Sequence, residues 1–450
     1  MNSLGRPGQP VDSFNPSFPA VDMPLVDGVP SWAHPSRRTD PYALGWWSGG
    51  EMLFWSSGEQ TRRIVASGGK NRFKRDVVSA DEAWERVLDP SGIEVIGAVV
   101  GAVLSYRTVT VEQLAAFTGY ACDVRLFDRV WAMHCAGIVD LGSFASAAAL
   151  DEEWRRVGVR PSKGRRWHRR LLSGLPPAVR WACLAGRGLS TGGQYSRHNI
   201  LASELLLRVA SFHDVVVAGE AQCLVKDLVG DFHAKANRSA DGLIVRRDGA
   251  RFAVEMTASS AYTMGGKVAR WIDALHTGPE GLGVVFVDAV PVGANPRSLS
   301  FMKRMIVQAV EKGYSSSWFA RAVGRIYAAS WPVWFAPEGP TRMFSSLTVE
   351  RYDLAARRWE QVDLLGGEAV VDGAGFGPWL ERGLSSSYVT PPWSRANPYP
   401  LWVLGPASQG VVSPPVEVAP HITAGLPGKL MPARETPAVA WARKKRRGRG

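Results

Sequence analysis

The stretch Ser239–Ser260, SADGLIVRRDGARFAVEMTASS, decides how the second half of the chain is read. Two apolar runs flank the turn-forming sequence RRDGAR, which is the grammar of a β-hairpin. Each arm carries one acid out of place: Asp241 opens the first, and Glu255 interrupts the second. Loop length decides whether they meet. A two-residue loop, Asp248–Gly249, pairs Arg247 with Ala250 and sends the acids to opposite faces of the sheet. A three-residue loop, Arg247–Asp248–Gly249, pairs Arg246 with Ala250 instead and sets Asp241 opposite Glu255, with Thr257 on the same face. Glycine in third place suits this second register. The apolar pattern is nearly continuous on both arms, as in strands covered on both sides, and does not choose between the two. Facing carboxylates repel unless a cation lies between them. A divalent ion that prefers oxygen ligands, Mg2+ or Mn2+, would serve.

The neighbouring segments read as helix (197–212, RHNILASELLLRVASF, amphipathic), strand (213–223), the hairpin, helix (265–276) and strand (281–290), a mixed α/β order. Glu204 on the first helix could supply a third oxygen; taken alone it is more simply an i,i+4 partner of Arg208 on a solvent face. Further on, 297–314 reads as an amphipathic helix with a cationic flank, 324–337 as a strand and 347–365 as a hairpin.

Upstream lies a helical block. IEVIGAVVGAVLSYR (93–107) has the crowded apolar pattern of a buried helix. Thr110 and Gln113 have capping-box spacing for a second helix, which Gly119 ends. In the third helix, 123–136, Val124, Phe127, Val130, Trp131 and His134 share one face, leaving Arg125 and Arg129 on the other as candidate major-groove contacts. A strand follows at GIVDLGSF. Three helices, a tight turn and a strand are the grammar of a winged helix-turn-helix, or of a small helical bundle without a DNA role.

The net charge is +12, with 53 Lys and Arg against 41 Asp and Glu, which points to a polyanionic partner. Residues 154–203 hold eleven Lys or Arg and no acid, including Arg165, Arg166, Arg169 and Arg170, with Trp154, Trp167 and Trp181 interleaved. Cations there can neutralise phosphates and flat rings can stack on bases; the bland alternative is a solvated linker. Six more cations, among them Lys444, Lys445, Arg446 and Arg447, fall in the last ten residues and suit non-specific DNA affinity. Cys122, Cys135, Cys183 and Cys223 show no metal or redox spacing; His134 beside Cys135 reads as core rather than zinc site. Scattered thiols suggest a cytoplasmic protein. The longest apolar run, at 95–104, is too short to cross a bilayer, so no membrane partner is expected.

The acid on the first helix, the Asp opening a strand and the Glu in the paired strand resemble the PD-(D/E)XK nuclease superfamily. With a winged helix upstream, the segments RHNILASELLLRVA, SADGLIV and FAVEMT, and a following helix bearing Lys267, residues 90–340 more narrowly resemble the replication-relaxation family. That family occurs in actinobacterial plasmids, integrating elements and phages. Composition, charge and the resemblance together give the expectation of an α+β multidomain chain, the resemblance covering only 90–340. A Pro-rich disordered arm (1–42) precedes a winged helix-turn-helix (90–145) and a basic connector (146–196). A mixed-sheet α/β restriction-endonuclease-like domain (197–385) follows, then a Pro-rich linker with a basic tail (392–450). The resemblance implies Asp241 and Glu255 as Mg2+ ligands, Glu204 as the helical acid and double-stranded DNA as partner. The pattern has Lys where this chain has Thr257, and Thr cannot stabilise charge on a phosphate electrostatically. Lys267 could reach back to do so. The expected function is a DNA-binding replication or mobilisation accessory protein with a divergent nuclease-like domain. The alternatives are an active metal-dependent DNA endonuclease, or a non-enzymatic regulator or genome-packing structural protein. In a non-enzymatic protein the α/β domain would serve for homodimerisation or duplex binding.

Overall fold

The computed structural model describes residues 38–42, 53–143, 153–162, 166–175, 196–213, 215–229, 239–246, 250–258, 264–290, 295, 297–312, 322–336 and 339–366. The architecture is mixed α/β, with two principal sheets.

The N-terminal half runs β1 (Phe54–Ser56), α1 (Gly58–Ala66), α2 (Ala80–Val87), α3 (Ile93–Tyr106), β2 (Val109–Thr110), α4 (Val111–Thr118), α5 (Val124–Cys135), β3 (Val139–Ser143) and β4 (Gly158–Pro161). Local chemistry sets the boundaries. Thr110 and Gln113 form the reciprocal capping box at the start of α4, and Gly119 ends it in the left-handed conformation at φ 84°. The Asp123 side chain caps α5. Phe127, Val130, Trp131 and His134 are buried as their spacing predicts, but Val124, in the first turn beyond the reach of the core, is 46% exposed. The sheet is antiparallel throughout, in the order β1-β3-β4-β2. It therefore reaches past residue 145: β4 is needed to bridge β2 and β3, so part of the expected basic connector belongs to this sheet. Elements upstream of residue 90 also belong here, since Gly58 lies so close to the α5 backbone that a Cβ would stand 1.9 Å from His134 O.

After α6 (Arg166–Gly174) come α7 (Ser196–Phe212), β5 (Val215–Gly219), β6 (Gly242–Arg246), β7 (Arg251–Thr257), α8 (Met264–Thr277), β8 (Leu282–Asp288), α9 (Ser298–Lys312), β9 (Ile326–Ser330), β10 (Thr348–Asp353) and β11 (Arg358–Asp363). These strands form one seven-stranded sheet, ordered from β11 through β10, β9, β8, β7 and β6 to β5. The β5–β6–β7 meander is antiparallel, β7–β8–β9 is parallel through helical crossovers, and β9–β10–β11 is antiparallel again. The expected strand at 324–337 is shorter, because Pro332 opens a helical turn over Trp331–Trp334. The hairpin expected at 347–365 is present as β10–β11.

One face of this sheet packs Leu243, Ala253, Val284, Phe286 and Ala328 against α8 and α9. The other packs Ile244, Val254, Met256 and Val285 against α7 and the N-terminal half in one continuous core. The middle helix α7 is buried on every side from Asn199 to Ser211, so it is not the amphipathic surface helix that its sequence suggested. Gly242 makes room for it: a Cβ there would stand 2.6 Å from Leu206 Cδ1.

The segment 38–42, expected within a disordered arm, is instead a buried strap across the two halves. Arg38 Nη2 lies 3.1 Å from Glu204 Oε1, Asp40 Oδ2 lies 3.0 Å from Arg208 Nη2, and the Thr39 N–H donates to Glu112 Oε1 at 3.0 Å. All five charged side chains are almost wholly buried. Burial and the nearby Glu204 carboxylate push the Glu112 carboxyl up to about 7. The expectations for residues 1–37 and 392–450 lie outside the described residues.

Candidate functional site

The hairpin register is the three-residue one. The Arg246 N–H donates to Ala250 O at 2.8 Å, Val245 pairs with Arg251, and Gly242 pairs with Val254. One step further, Asp241 lies opposite Glu255, so the two acids share the face that α8 covers. The Asp241 N–H donates to Val254 O at 2.8 Å, which holds this end of β6 in register. Residues 247–249 themselves are outside the described set.

Each acid meets a cation from a different helix. His198, in the first turn of α7, places Nε2 2.7 Å from Asp241 Oδ1, and the Met256 N–H donates to Asp241 Oδ2 at 2.7 Å. Lys267, in the first turn of α8, contacts Glu255 Oε2, while Trp271, one turn on, donates its indole N–H to Glu255 Oε1 at 2.6 Å. The four side chains lie at the C-terminal end of β7, where open α/β sheets tend to bind ligands. Next to them in the sheet, Thr257 pairs with Asp288, which accepts from Ser298 Oγ at 2.7 Å.

The electrostatics are those of a mutually compensated quartet. Burial pushes the Asp241 carboxyl up, but His198, with help from Lys267 and the Met256 N–H, outweighs it and holds the group below the usual carboxylate range. Burial, reinforced by Asp241, holds Glu255 above its usual range although Lys267 and Trp271 pull the other way. Burial would lower the His198 imidazole, yet the Asp241 carboxylate beside it reverses the sign and raises it. His198 and Lys267 thus stand against the two carboxyl groups, one to each.

The oxygen chemistry of Asp241 and Glu255 suits a hard divalent ion in kind. It does not suit one in occupancy, because three carboxylate oxygens already meet His198, the Met256 N–H and the Trp271 indole, and the fourth, Glu255 Oε2, is ion-paired with Lys267. A divalent ion would have to displace both His198 and Lys267. Among the described residues there is no cluster of three or more His, Cys, Asp or Glu side chains arranged to hold a metal.

Glu204 does not join the pair. Its carboxylate is engaged by Arg38, by Gln113 Nε2 at 3.2 Å and by Arg208 Nε at 3.1 Å. The i,i+4 pairing with Arg208 is present, but fully buried and not on a solvent face. Lys267, in contrast, does reach back to the acids. Sequence reasoning did not single out His198 or Trp271. Arg197, His198 and Asn199 form a run of three consecutive polar residues at the head of a helix that is mostly apolar beyond them, and that was the available signal. Arg197 donates to Ala258 O and Ala289 O at 3.0 Å, and Asn199 donates to Glu220 Oε2 at 3.0 Å, so the whole triplet serves the end of the sheet.

Of the candidate nucleic-acid contacts, Arg125 is 85% exposed at the head of α5 and pairs with Asp123 at 2.6 Å. Arg129 leans on the α2–α3 junction, 3.7 Å from Asp89. Arg169 is exposed, and Arg170 lies over the Trp84 ring and 3.3 Å from Asp81. Two of the interleaved rings are not free platforms: Trp154 stacks on Phe127 with centroids 5.7 Å apart, and Trp167 is buried. Arg165, the Arg166 side chain, Cys183, Trp181 and Lys444, Lys445, Arg446 and Arg447 lie outside the described residues. His134 is a satisfied core histidine, with Nδ1 3.2 Å from Val139 O and Nε2 2.9 Å from Thr61 Oγ1; burial lowers it to about 4. No helix among the described residues is long and apolar enough to cross a membrane.

Compared with family models, with curated proteins and with solved structures, the chain matches none.

Proposed function

We propose that this chain is a duplex-DNA-binding accessory protein of replication or mobilisation in a phage or mobile element, with a divergent nuclease-like α/β domain. The observation that carries the DNA reading is the connectivity of the first sheet. The order α3, β2, α4, α5, β3, β4, with β4 between β2 and β3, is the order expected of a winged helix, with α5 in the recognition position. Arg125 stands exposed at the head of that helix. The second half supports the nuclease-like reading by its order α7, β5, β6, β7, α8, β8 and by the acid pair on β6 and β7. The mobile-element context rests on the family resemblance alone.

In this reading the α/β domain works as a binding scaffold and not as a hydrolase. Thr257 stands where nuclease chemistry wants a lysine. The cations that would assist a phosphate are spent on Asp241 and Glu255. Mg2+ or Mn2+ enters only as a competitor of those cations.

The test is a pair of assays on the full chain. Gel shifts with duplex DNA should show binding that Arg125→Ala weakens by about tenfold, the order expected for removal of one side chain from a base edge. Supercoiled plasmid with Mg2+ or Mn2+ should stay intact. Nicking that disappears in both Asp241→Ala and Glu255→Ala would replace the scaffold reading with an active endonuclease. Absence of any duplex shift would remove the DNA reading altogether.

A further inference from the structure

Residues 62–75 carry six Lys or Arg and no acid, a denser run of cations than the expected connector. Arg62 reaches Cys135 O, Arg63 pairs with Glu59 one helical turn away, and Arg75 pairs with Asp128. Lys70, Arg72, Lys74 and Arg75 all sit on the loop between α1 and α2.

This loop is fixed in shape. Phe73 is buried, with its ring 5.7 Å from Trp131 and 5.9 Å from His134. The Asn71 side chain accepts from the Phe73 N–H at 3.0 Å and donates to Arg75 O at 2.6 Å. Lys74 closes the turn in the left-handed region at φ 49°. An anchored Phe73 turns its neighbours outward, and Lys70, Arg72 and Lys74 are all exposed.

Both ends of the loop touch the elements that the DNA reading uses. At one end the Arg72 guanidinium lies 5.4 Å from the ring centroid of Phe54, which is 52% exposed. Phe54 pairs with Ser143, the last residue of β3 before the β3–β4 connection. At the other end Arg75 Nε lies 3.4 Å from Asp128 Oδ1 on α5, and its guanidinium covers Phe127. Asp128 follows Arg125 by three residues, so the two share one outward face of α5. The loop thus spans from the paired ends of β1 and β3 to the outer face of α5. The bordering acids are Asp76, which is exposed, and Asp128, which Arg75 already pairs.

We propose that Lys70, Arg72 and Lys74 form a phosphate-binding ledge for duplex DNA, lying between α5 and the paired ends of β1 and β3. The proposal rests on the duplex-DNA reading above and adds a contact surface to it. A duplex is the partner that fits, because the three cations lie between the outer face of α5 and the paired ends of β1 and β3, so that a duplex read by α5 would bring its backbone against them. The ledge positions the duplex and carries no sequence information of its own.

The experiment compares four full-length proteins on one labelled mixed-sequence duplex over a range of salt. They are the wild type, Arg125→Ala, the triple variant Lys70→Gln/Arg72→Gln/Lys74→Gln, and the charge-preserving triple variant Lys70→Arg/Arg72→Lys/Lys74→Arg. Each phosphate no longer neutralised should lower the slope of log affinity against log salt by about 0.9, so the glutamine triple should lower it by between about 2 and 3. The charge-preserving triple should keep the wild-type slope, and circular dichroism should show both triples folded, since the three side chains are exposed. A glutamine triple with the wild-type slope, while the wild type binds and Arg125→Ala weakens it, overturns the ledge and leaves the DNA reading standing. A wild type that binds no duplex, or prefers single-stranded DNA or RNA of the same length, overturns both.

Discussion

Replacing Lys267 by Met tests the compensated quartet by removing one cation and keeping the apolar stem. Glu255 is 4% exposed and Lys267 is 28% exposed, so the pair is shielded on the carboxylate side and only partly open on the other. Without Lys267 the Glu255 carboxylate keeps only the Trp271 indole and faces Asp241. Its escape is to take up a proton, which sets a ceiling on the damage. Protonating at pH 7 a carboxyl whose ordinary value is 4.5 costs about 3.4 kcal/mol, at about 1.36 kcal/mol per pH unit. Some water will enter where the ammonium stood, so the expected loss at pH 7 is about 2 to 3 kcal/mol. A carboxyl raised in the folded state makes the fold bind more protons than the unfolded chain. Folded-state stability therefore recovers as pH falls from 7 toward 4.5, and the loss should shrink to below about 1 kcal/mol at pH 5. Urea unfolding of wild type and variant at both pH values reads this directly. On a Glu255→Gln background the same Lys267→Met change should cost little. A loss below about 0.5 kcal/mol at pH 7, or an equal loss at both pH values, refutes the ion pairing as described.

Glu204→Gln should destabilise by about 3 to 5 kcal/mol in urea unfolding, because it leaves Arg38 buried against a neutral amide and takes from Arg208 one of its two carboxylates, Asp40 being the other. It should also expose the 38–42 strap to limited proteolysis; a change within about 0.5 kcal/mol would show that the strap does not join the two halves. His213, buried against Phe344, is lowered to about 4 from 6.5 by its burial. The unfolded chain takes up a proton through this window while the fold resists, so His213 destabilises progressively as pH falls from 6.5 to 4. The stability of His213→Leu relative to wild type should thus rise by up to about 3.4 kcal/mol over that window, and a constant difference would place His213 in solvent.

The acid pair was legible because a hairpin register is a local quantity. Once Gly249 is third in the loop, counting alone carries Asp241 to Glu255, and the structure has that register. The α4 capping box and the α5 core face are local in the same sense. What the sequence hid is set by partners far along the chain. Glu204 has the spacing of an exposed i,i+4 pair, but its environment is fixed by Arg38, 166 residues away, and by the N-terminal half lying over α7. A helix sandwiched between a sheet and a second layer shows no polar stripe, and the residues at its head are then the ones with freedom to serve a site. His198 is one of them. The tryptophans of the basic stretch looked like stacking platforms because composition records a ring and not its neighbours; Phe127 already occupies the face of Trp154.

The central claim is duplex-DNA binding through α5 and its flanks, and the most direct measurement is the affinity of the full chain for a labelled duplex as salt is raised. Binding at low salt that falls along a straight line in log affinity against log salt, with Arg125→Ala weaker at every salt concentration, is the predicted result. No duplex binding at low salt, or binding indifferent to both salt and Arg125→Ala, would contradict it.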